Sequence, residues 1–184
     1  MTSERSSDAR LGLIQVYTGT GKGKTTAAIG AGIRAVGQGL RVHMIQFLKG
    51  GDNSSPYGEV RAIEQIPRFT LEQFGPSHFI KPGEISDEDR EIVKRGLKRS
   101  GEVLSSGNYD LVILDEIHVA LNYGLLTLEE VTELMECKPP QVELVMTGRG
   151  APQTVIDQAD LATEMRELKH PLARGIQGRI GIEF

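Results

Sequence analysis

The chain has 184 residues, a length that suits one domain built on a single core, and its 39% hydrophobic and 25% charged content is ordinary for a soluble globular protein. A formal net charge of −4 gives no general basic character that would suggest nucleic-acid binding, and no apolar run is long enough to span a membrane. A single cysteine, Cys137, excludes an internal disulfide framework and a Cys-based zinc site, and the whole balance favours the cytoplasm.

Residues 1–10 are polar and charged and lack the apolar core of a secretory signal. They are expected to form a flexible tail in front of one domain over 11–184. A first strand is expected over about Gly12 to Tyr17. It runs into Thr18-Gly-Thr-Gly-Lys-Gly-Lys-Thr-Thr26, which opens an Ala-rich helix from about Lys24 to Val36, stopped by Gly37 and Gly39. Arg41 to Leu48 reads as a second, buried strand. Strand, helix and strand at this spacing make a βαβ unit, so the sheet should be parallel there.

Lys49 to Tyr57 is a loop containing Gly50, Gly51, Asp52, Asn53 and Pro56. It follows a strand, on the side where open α/β sheets bind ligands. Phe69 to Phe74 reads as a short third strand, and Gly75 to Ile85 as an irregular stretch. Ser86, with Glu88 and Glu91 beyond it, begins a long helix that ends near Ser106, with Ile92, Val93, Leu97, Val103 and Leu104 as its inner face. Tyr109 to Leu114 is a continuous apolar run closing on Asp115-Glu116. Thr127 and Glu130 form a capping box for a helix to Glu136. Val142 to Met146 is a further strand, ending in Thr147-Gly148-Arg149-Gly150. A short helix over Ala151 to Ala159 and last strands over Leu161 to Leu168 and Gly178 to Phe184 complete the chain. Strands and helices alternating in this way mean a three-layer α/β fold.

The chemistry concentrates at three strand ends. In the first, Gly19, Gly21 and Gly23 let the backbone curl so that successive N–H groups point inward at an anion, and the helix adds its positive N-terminal end. Lys24 brings a full charge, and Thr25 a hydroxyl suited to a Mg²⁺ ion carried by a nucleotide. The general phosphate-loop pattern wants Gly where this chain has Thr18. In the second, Asp115 and Glu116 bring carboxylates to the same sheet edge, where one can hold Mg²⁺; which acid does so stays open, and a pair of helix-capping acids is the plainer alternative. In the third, Arg149 offers a planar fork suited to a triphosphate or a carboxamide-rich ligand, against a surface arginine in a turn. Arg34 is either a ribose or phosphate contact or a solvated helix arginine. His43, His78, His118 and His170 show no metal-ligand spacing. His43 reads as structural, and His118 as a candidate to line the site. The rings Phe74, His78 and Phe79 read first as packing, and Cys137 carries no role.

Taken together, Thr18 to Thr26, Gln46-Phe-Leu-Lys-Gly50, Leu114-Asp-Glu-Ile117, Thr147-Gly-Arg-Gly150, Lys169-His-Pro171 and Gly178-Arg-Ile-Gly-Ile182 resemble the P-loop type of ATP:corrinoid adenosyltransferase, in order from Leu11 to Phe184. Thr18, a misfit to the general pattern, agrees with this family. The resemblance implies a mostly parallel sheet of the P-loop NTPase or RecA-like type. It also implies a reaction in which the Co(I) of a reduced corrinoid attacks C5′ of ATP and triphosphate leaves, in adenosylcobalamin biosynthesis or salvage. Thr18, Gly19, Thr20, Gly21, Lys22, Gly23, Lys24, Thr25 and Thr26, with Arg34 and Arg149, would hold the nucleotide. Lys24 and Arg149 would act in catalysis, and Thr25, Asp115 and Glu116 would hold Mg²⁺ or Mn²⁺. The metal nucleophile removes the need for a protein one. Similar enzymes displace the lower axial ligand of cobalt with bulky aromatics. The loop Gly75 to Ile85, with Phe74, His78 and Phe79, is the counterpart here, in a chain without Trp. A homodimer and a reductase supplying Co(I) are further implications. Open alternatives are a small-molecule kinase, a RecA-like ATPase and a nucleotide-dependent corrinoid carrier.

Overall fold

Two apolar runs without polar alternation set the centre of the fold. Every residue of β2 (Val42–Phe47) and of β4 (Leu111–Asp115) is buried. Strands covered on both faces belong to parallel sheets with helices on either side, and that is the arrangement found. The computed structural model describes residues 11–50, 57–78, 80 and 84–182. The expected tail over residues 1–10 lies outside the described residues, as do 51–56, Phe79, 81–83 and 183–184.

The other strands are β1 (Ile14–Thr18), β3 (Phe69–Phe74), β5 (Glu143–Thr147) and β6 (Leu161–Glu164). The six lie in the order β3-β2-β4-β5-β1-β6, and all five pairings are parallel. Alternate side chains feed two cores. On one face Met44, Ile113 and Val145 pack with Ala28 of α1 (Lys24–Gly37) and Ile63 of α2 (Gly58–Ile63). On the other, Phe47, Leu114 and Met146 pack with Val93 and Val103 of α3 (Asp87–Ser105), Ile117 of α4 (Ile117–Asn122), Val131 of α5 (Leu128–Glu136) and Val155 of α6 (Gln153–Gln158). These are the three layers of an α/β fold.

Local signals place the long helices. At α5 the Glu130 N–H donates to Thr127 Oγ1 at 3.2 Å and the Thr127 N–H to Glu130 Oε2 at 2.9 Å, the reciprocal box expected from sequence. At α3 Ser86 is the cap, but its partner is neither flanking glutamate. Asp89 takes the Ser86 N–H at 2.9 Å and returns its own N–H to Ser86 Oγ at 3.1 Å.

Three expectations are corrected. The short helices α2 and α4 lie where none was expected. Strand β6 stops at Glu164 rather than Leu168, because it pairs only with β1 and β1 leaves the sheet at Thr18, the partner of Glu164. Residues 178–182 form no strand; the chain after β6 passes through a 3-10 turn at Pro171–Arg174, closed by left-handed Gly175 with φ 76°, and continues irregularly. With β6 at the sheet's edge and its outer side unpaired among the described residues, no further strand is there to hold that segment in register.

Candidate functional site

Parallel strands end on the same edge, so β1, β4 and β5 deliver Thr18, Asp115 and Thr147 side by side. Asp115 is fully buried, and both of its oxygens are engaged twice. Oδ1 accepts the hydroxyls of Thr25 at 2.8 Å and Thr147 at 2.7 Å. Oδ2 accepts Lys49 Nζ at 3.0 Å and Gln46 Nε2 at 3.1 Å. A buried carboxylate holds its charge only with such partners.

Thr147 Oγ1 also accepts the Glu116 N–H at 3.0 Å. This anchors Glu116 in a left-handed conformation, φ 63°, that costs a non-glycine residue about 1 kcal/mol. Glu116 is among the residues that line the adjoining cleft. Burial pushes the Glu116 carboxyl above its usual range, Asp115 adds to that, and Lys49, Lys24 and Arg149 oppose it.

The glycine-rich loop differs from expectation in one respect. The Gly21 N–H does not point at the cleft; it donates to the Met165 carbonyl at 2.6 Å. A Cβ at Gly21 would sit 2.8 Å from the Met165 carbonyl oxygen, so glycine is needed for this close approach. Lys24 is buried, with Nζ donating to the Gly19 carbonyl at 2.9 Å and the Gly21 carbonyl at 2.7 Å. Burial lowers its pKa, Glu116 and Asp115 raise it, and Arg149 lowers it further. Thr18, far from being a defect, accepts the Ala151 N–H at 3.0 Å and ties the loop to the turn after β5.

Beside these groups lies a cleft of about 690 Å³, whose lining includes Lys24, Thr25 and Glu116 but not the buried Asp115 and Thr147, nor Thr18, Gly19 or Gly21. Thr20, Lys22, Gly23, Lys24, Thr25 and Thr26 form one wall, with Glu116 and Arg149 beside them. Leu48, Tyr57, Ile80, Val119, Tyr123 and Ile182 give the cleft an apolar and aromatic side. The C-terminal segment is fastened over the loop, since Lys22 Nζ donates to the Ile182 carbonyl at 2.8 Å. Arg149 is positioned by its own backbone, whose carbonyl accepts Asn122 Nδ2 at 2.6 Å. Before it, Gly148 has φ 139°, and a Cβ there would meet His118 Cβ at 2.8 Å.

Not every candidate joins them. Arg34 is exposed in the last turn of α1, ten residues after Lys24, or about 15 Å along the helix, and does not line the cleft. Phe74 packs against the buried core under α3. His78 is exposed, with Nε2 3.3 Å from Asp89 Oδ1 at the start of α3. Phe79 lies outside the described residues. His118 is fully buried behind Gly148 rather than lining the cleft, while His170 does line it. His43 is buried in β2, its Nδ1 2.7 Å from Thr70 Oγ1, which agrees with a structural role. Sequence reasoning gave no role to Gln46, Lys49 or Glu59. The available signals were Gln46, a polar residue in a buried strand, and the stretch Gln46-Phe-Leu-Lys-Gly50, which carries part of the resemblance and includes Lys49.

A family model described as ATP:corrinoid adenosyltransferase BtuR/CobO/CobP matches residues 10–184. The chain is 35% identical over 173 residues to the corrinoid adenosyltransferase of Escherichia coli (strain K12), a match covering 94% of this chain and 86% of that protein. With the corrinoid adenosyltransferase of Pseudomonas aeruginosa the identity is 34% over 178 residues, covering 94% and 84%. An uncharacterized protein of Nostoc sp. (strain PCC 7120) is 39% identical over 184 residues; there the match covers 94% of this chain but 48% of the relative, so the chain spans about half of that protein.

Proposed function

This chain belongs to the ATP:corrinoid adenosyltransferase family, and from that premise we propose that its cleft transfers the 5′-deoxyadenosyl group of ATP to the Co(I) of a reduced corrinoid and releases triphosphate. The observation that carries this reading is the pairing, in one cleft, of a cationic glycine-loop wall with an apolar, aromatic side. The first suits a polyphosphate, and the second the faces of a nucleoside and a macrocycle.

In the proposed reaction the Co(I) electron pair forms the cobalt–carbon bond. The C5′–oxygen bond breaks with its pair passing to triphosphate, and cobalt ends as Co(III). The chain's work is to hold C5′ in line with cobalt and to stabilise the charge growing on the leaving oxygens. Lys24 releases the two loop carbonyls and turns to the phosphates, Gly23 and the α1 N-terminus offer backbone N–H groups, and Arg149 closes from the β5 side. Thr25 and Asp115 present only oxygen donors, 2.8 Å apart. That set fits Mg²⁺, or Mn²⁺, because such an ion needs only one or two protein oxygens beside substrate phosphates. The ion supplies charge neutralisation to the leaving triphosphate. Asp115 is the acid better placed beside Thr25, with Glu116 left facing the nucleotide.

The same reading extends to a homodimer in the cytoplasm, served by a reductase that delivers Co(I), within adenosylcobalamin biosynthesis or salvage. The family resemblance supports it, and no helix among the described residues is long and apolar enough to cross a membrane. The test is a single-turnover assay with ATP and cob(I)alamin under strong reductant. A light-sensitive cobalt–carbon product with an equivalent of triphosphate is expected. ADP and phosphate without that product would instead indicate a kinase or ATPase, and binding without turnover a carrier.

A further inference from the structure

The cleft contains a cation of its own. Asp115 Oδ2 and Glu59 Oε1 are bridged by two shared donors: Lys49 Nζ, at 3.0 Å and 3.3 Å, and Gln46 Nε2, at 3.1 Å and 3.2 Å. With the Thr25 and Thr147 hydroxyls on Oδ1, all four acceptor positions of Asp115 are filled. A metal ion at Asp115 therefore requires one donor to leave. Thr147 is buried and also holds the Glu116 N–H. Gln46 is buried, and its Oε1 accepts Gln73 Nε2 at 2.9 Å. Thr25 would itself be a ligand. Lys49 differs from all three: it sits on the loop after β2, its side chain keeps 17% exposure, and it lines the cleft. It also has other partners to fall back on, Glu59 and the Tyr57 ring, whose centroid is 5.4 Å from Nζ.

We propose that Lys49 is a tethered counter-cation, which neutralises Asp115 until a divalent cation arrives with the nucleotide and then withdraws onto Glu59. The inference rests on the metal role of Asp115 proposed above. Its physical basis is charge. A buried carboxylate stripped of its cation is costly, and an ammonium and a divalent ion in one seat repel. With Lys49 in place, the carboxylates Asp115, Glu59 and Glu116 are matched by the cations Lys49, Lys24 and Arg149. The consequence is an order of entry: free divalent cation is turned away, and the metal enters with the triphosphate whose charge makes up for the displaced ammonium. Lys49 is thus a positioning residue for the metal.

The test is Mn²⁺ binding to the full chain without nucleotide, followed by electron paramagnetic resonance of the free ion. Lys49→Met is expected to bind Mn²⁺ at least tenfold more tightly than wild type, and the difference should shrink once ATP is present. Equal affinity of the two proteins for Mn²⁺ alone, with Mn²⁺ still strengthening ATP binding in both, would overturn the counter-cation role and leave the metal role of Asp115 standing. Failure of Mn²⁺ to strengthen ATP binding to wild type would remove the metal role and this inference with it. If Lys49→Met does not fold, Lys49→Gln carries the same test, because it keeps a donor for both carboxylates but not the charge. Glu59→Gln should raise severalfold the Mn²⁺ concentration needed to strengthen ATP binding; an unchanged requirement would overturn the withdrawal step.

Discussion

The Thr18 hydroxyl accepts the Ala151 N–H at 3.0 Å, joining the start of the glycine-rich loop to the turn that carries Arg149. Two of the three chemical strand ends are thus locked to each other by the residue that departs from the general loop pattern. Restoring the pattern with Thr18→Gly should weaken the protein. It removes one hydrogen bond, about 1 kcal/mol, and adds chain freedom in the unfolded state, about 0.5–1 kcal/mol. We expect a melting temperature lower by about 3–6 °C and weaker ATP binding by calorimetry. A variant as stable as wild type would show that the bond carries no weight.

Lys24→Ala should leave the fold intact and damage the reaction. Its ammonium sits on the loop carbonyls of Gly19 and Gly21, and charge-stabilising groups of this kind contribute about 3–4 kcal/mol to a transition state. Turnover should fall roughly 10²–10³-fold, read as cobalt–carbon product formed per minute. Turnover close to wild type would contradict the role given to Lys24.

Asp115→Ala should cost more stability than its single position suggests. Four donors lose an acceptor together, and two of them, Thr147 and Gln46, are buried away from water. Removing one partner of a buried ion pair costs about 3–5 kcal/mol, so chemical denaturation should show a lower midpoint with an unchanged slope. Glu116→Ala, at the open side of the cleft, should show a much smaller loss in the same experiment.

Stability should fall on mild acidification because of two buried imidazoles. Burial pushes both His43 and His118 from the ordinary 6.5 down to about 4, against a smaller opposing effect of Glu72 on His43. The unfolded chain therefore binds protons between pH 6.5 and 4 that the folded chain refuses, and stability declines as pH falls through that window. Above pH 6.5 neither residue contributes a pH dependence. The loss approaches on the order of 3 kcal/mol for each histidine near pH 4. Urea unfolding of His43→Asn and His118→Asn variants at pH 5 and 7.5 should show a shallower pH dependence than wild type.

The legible parts of the chain were those whose physics is local or periodic. The Thr127–Glu130 box is a four-residue pattern, and it was read correctly. At Ser86 the cap was legible and its partner was not, because the stretch Asp87-Glu88-Asp89 offers several acids and only helix geometry selects the one three residues on. Helix α4 escaped notice because it starts from a left-handed Glu116, a conformation no local preference announces. Residues 178–182 have the alternating apolar character of a strand, yet the sheet ends at β6 and offers them no partner.

The sequence by itself determined that a glycine loop, a pair of acids and a Thr-Gly-Arg-Gly turn each follow an apolar strand, because strand, turn and helix-start signals act over a few residues. It also determined the family, since those motifs recur in order along nearly the whole chain. Tertiary structure alone decided what each group touches. The strand order sets β1 and β4 on either side of β5, so that Thr25 and Thr147 share one oxygen of Asp115. It also set Lys49 and Glu59 on the other oxygen's side, placed the Met165 carbonyl on the Gly21 N–H, and sent Arg34 to the far end of α1. Those contacts join residues far apart in the chain, and only the packed sheet brings them within hydrogen-bonding distance.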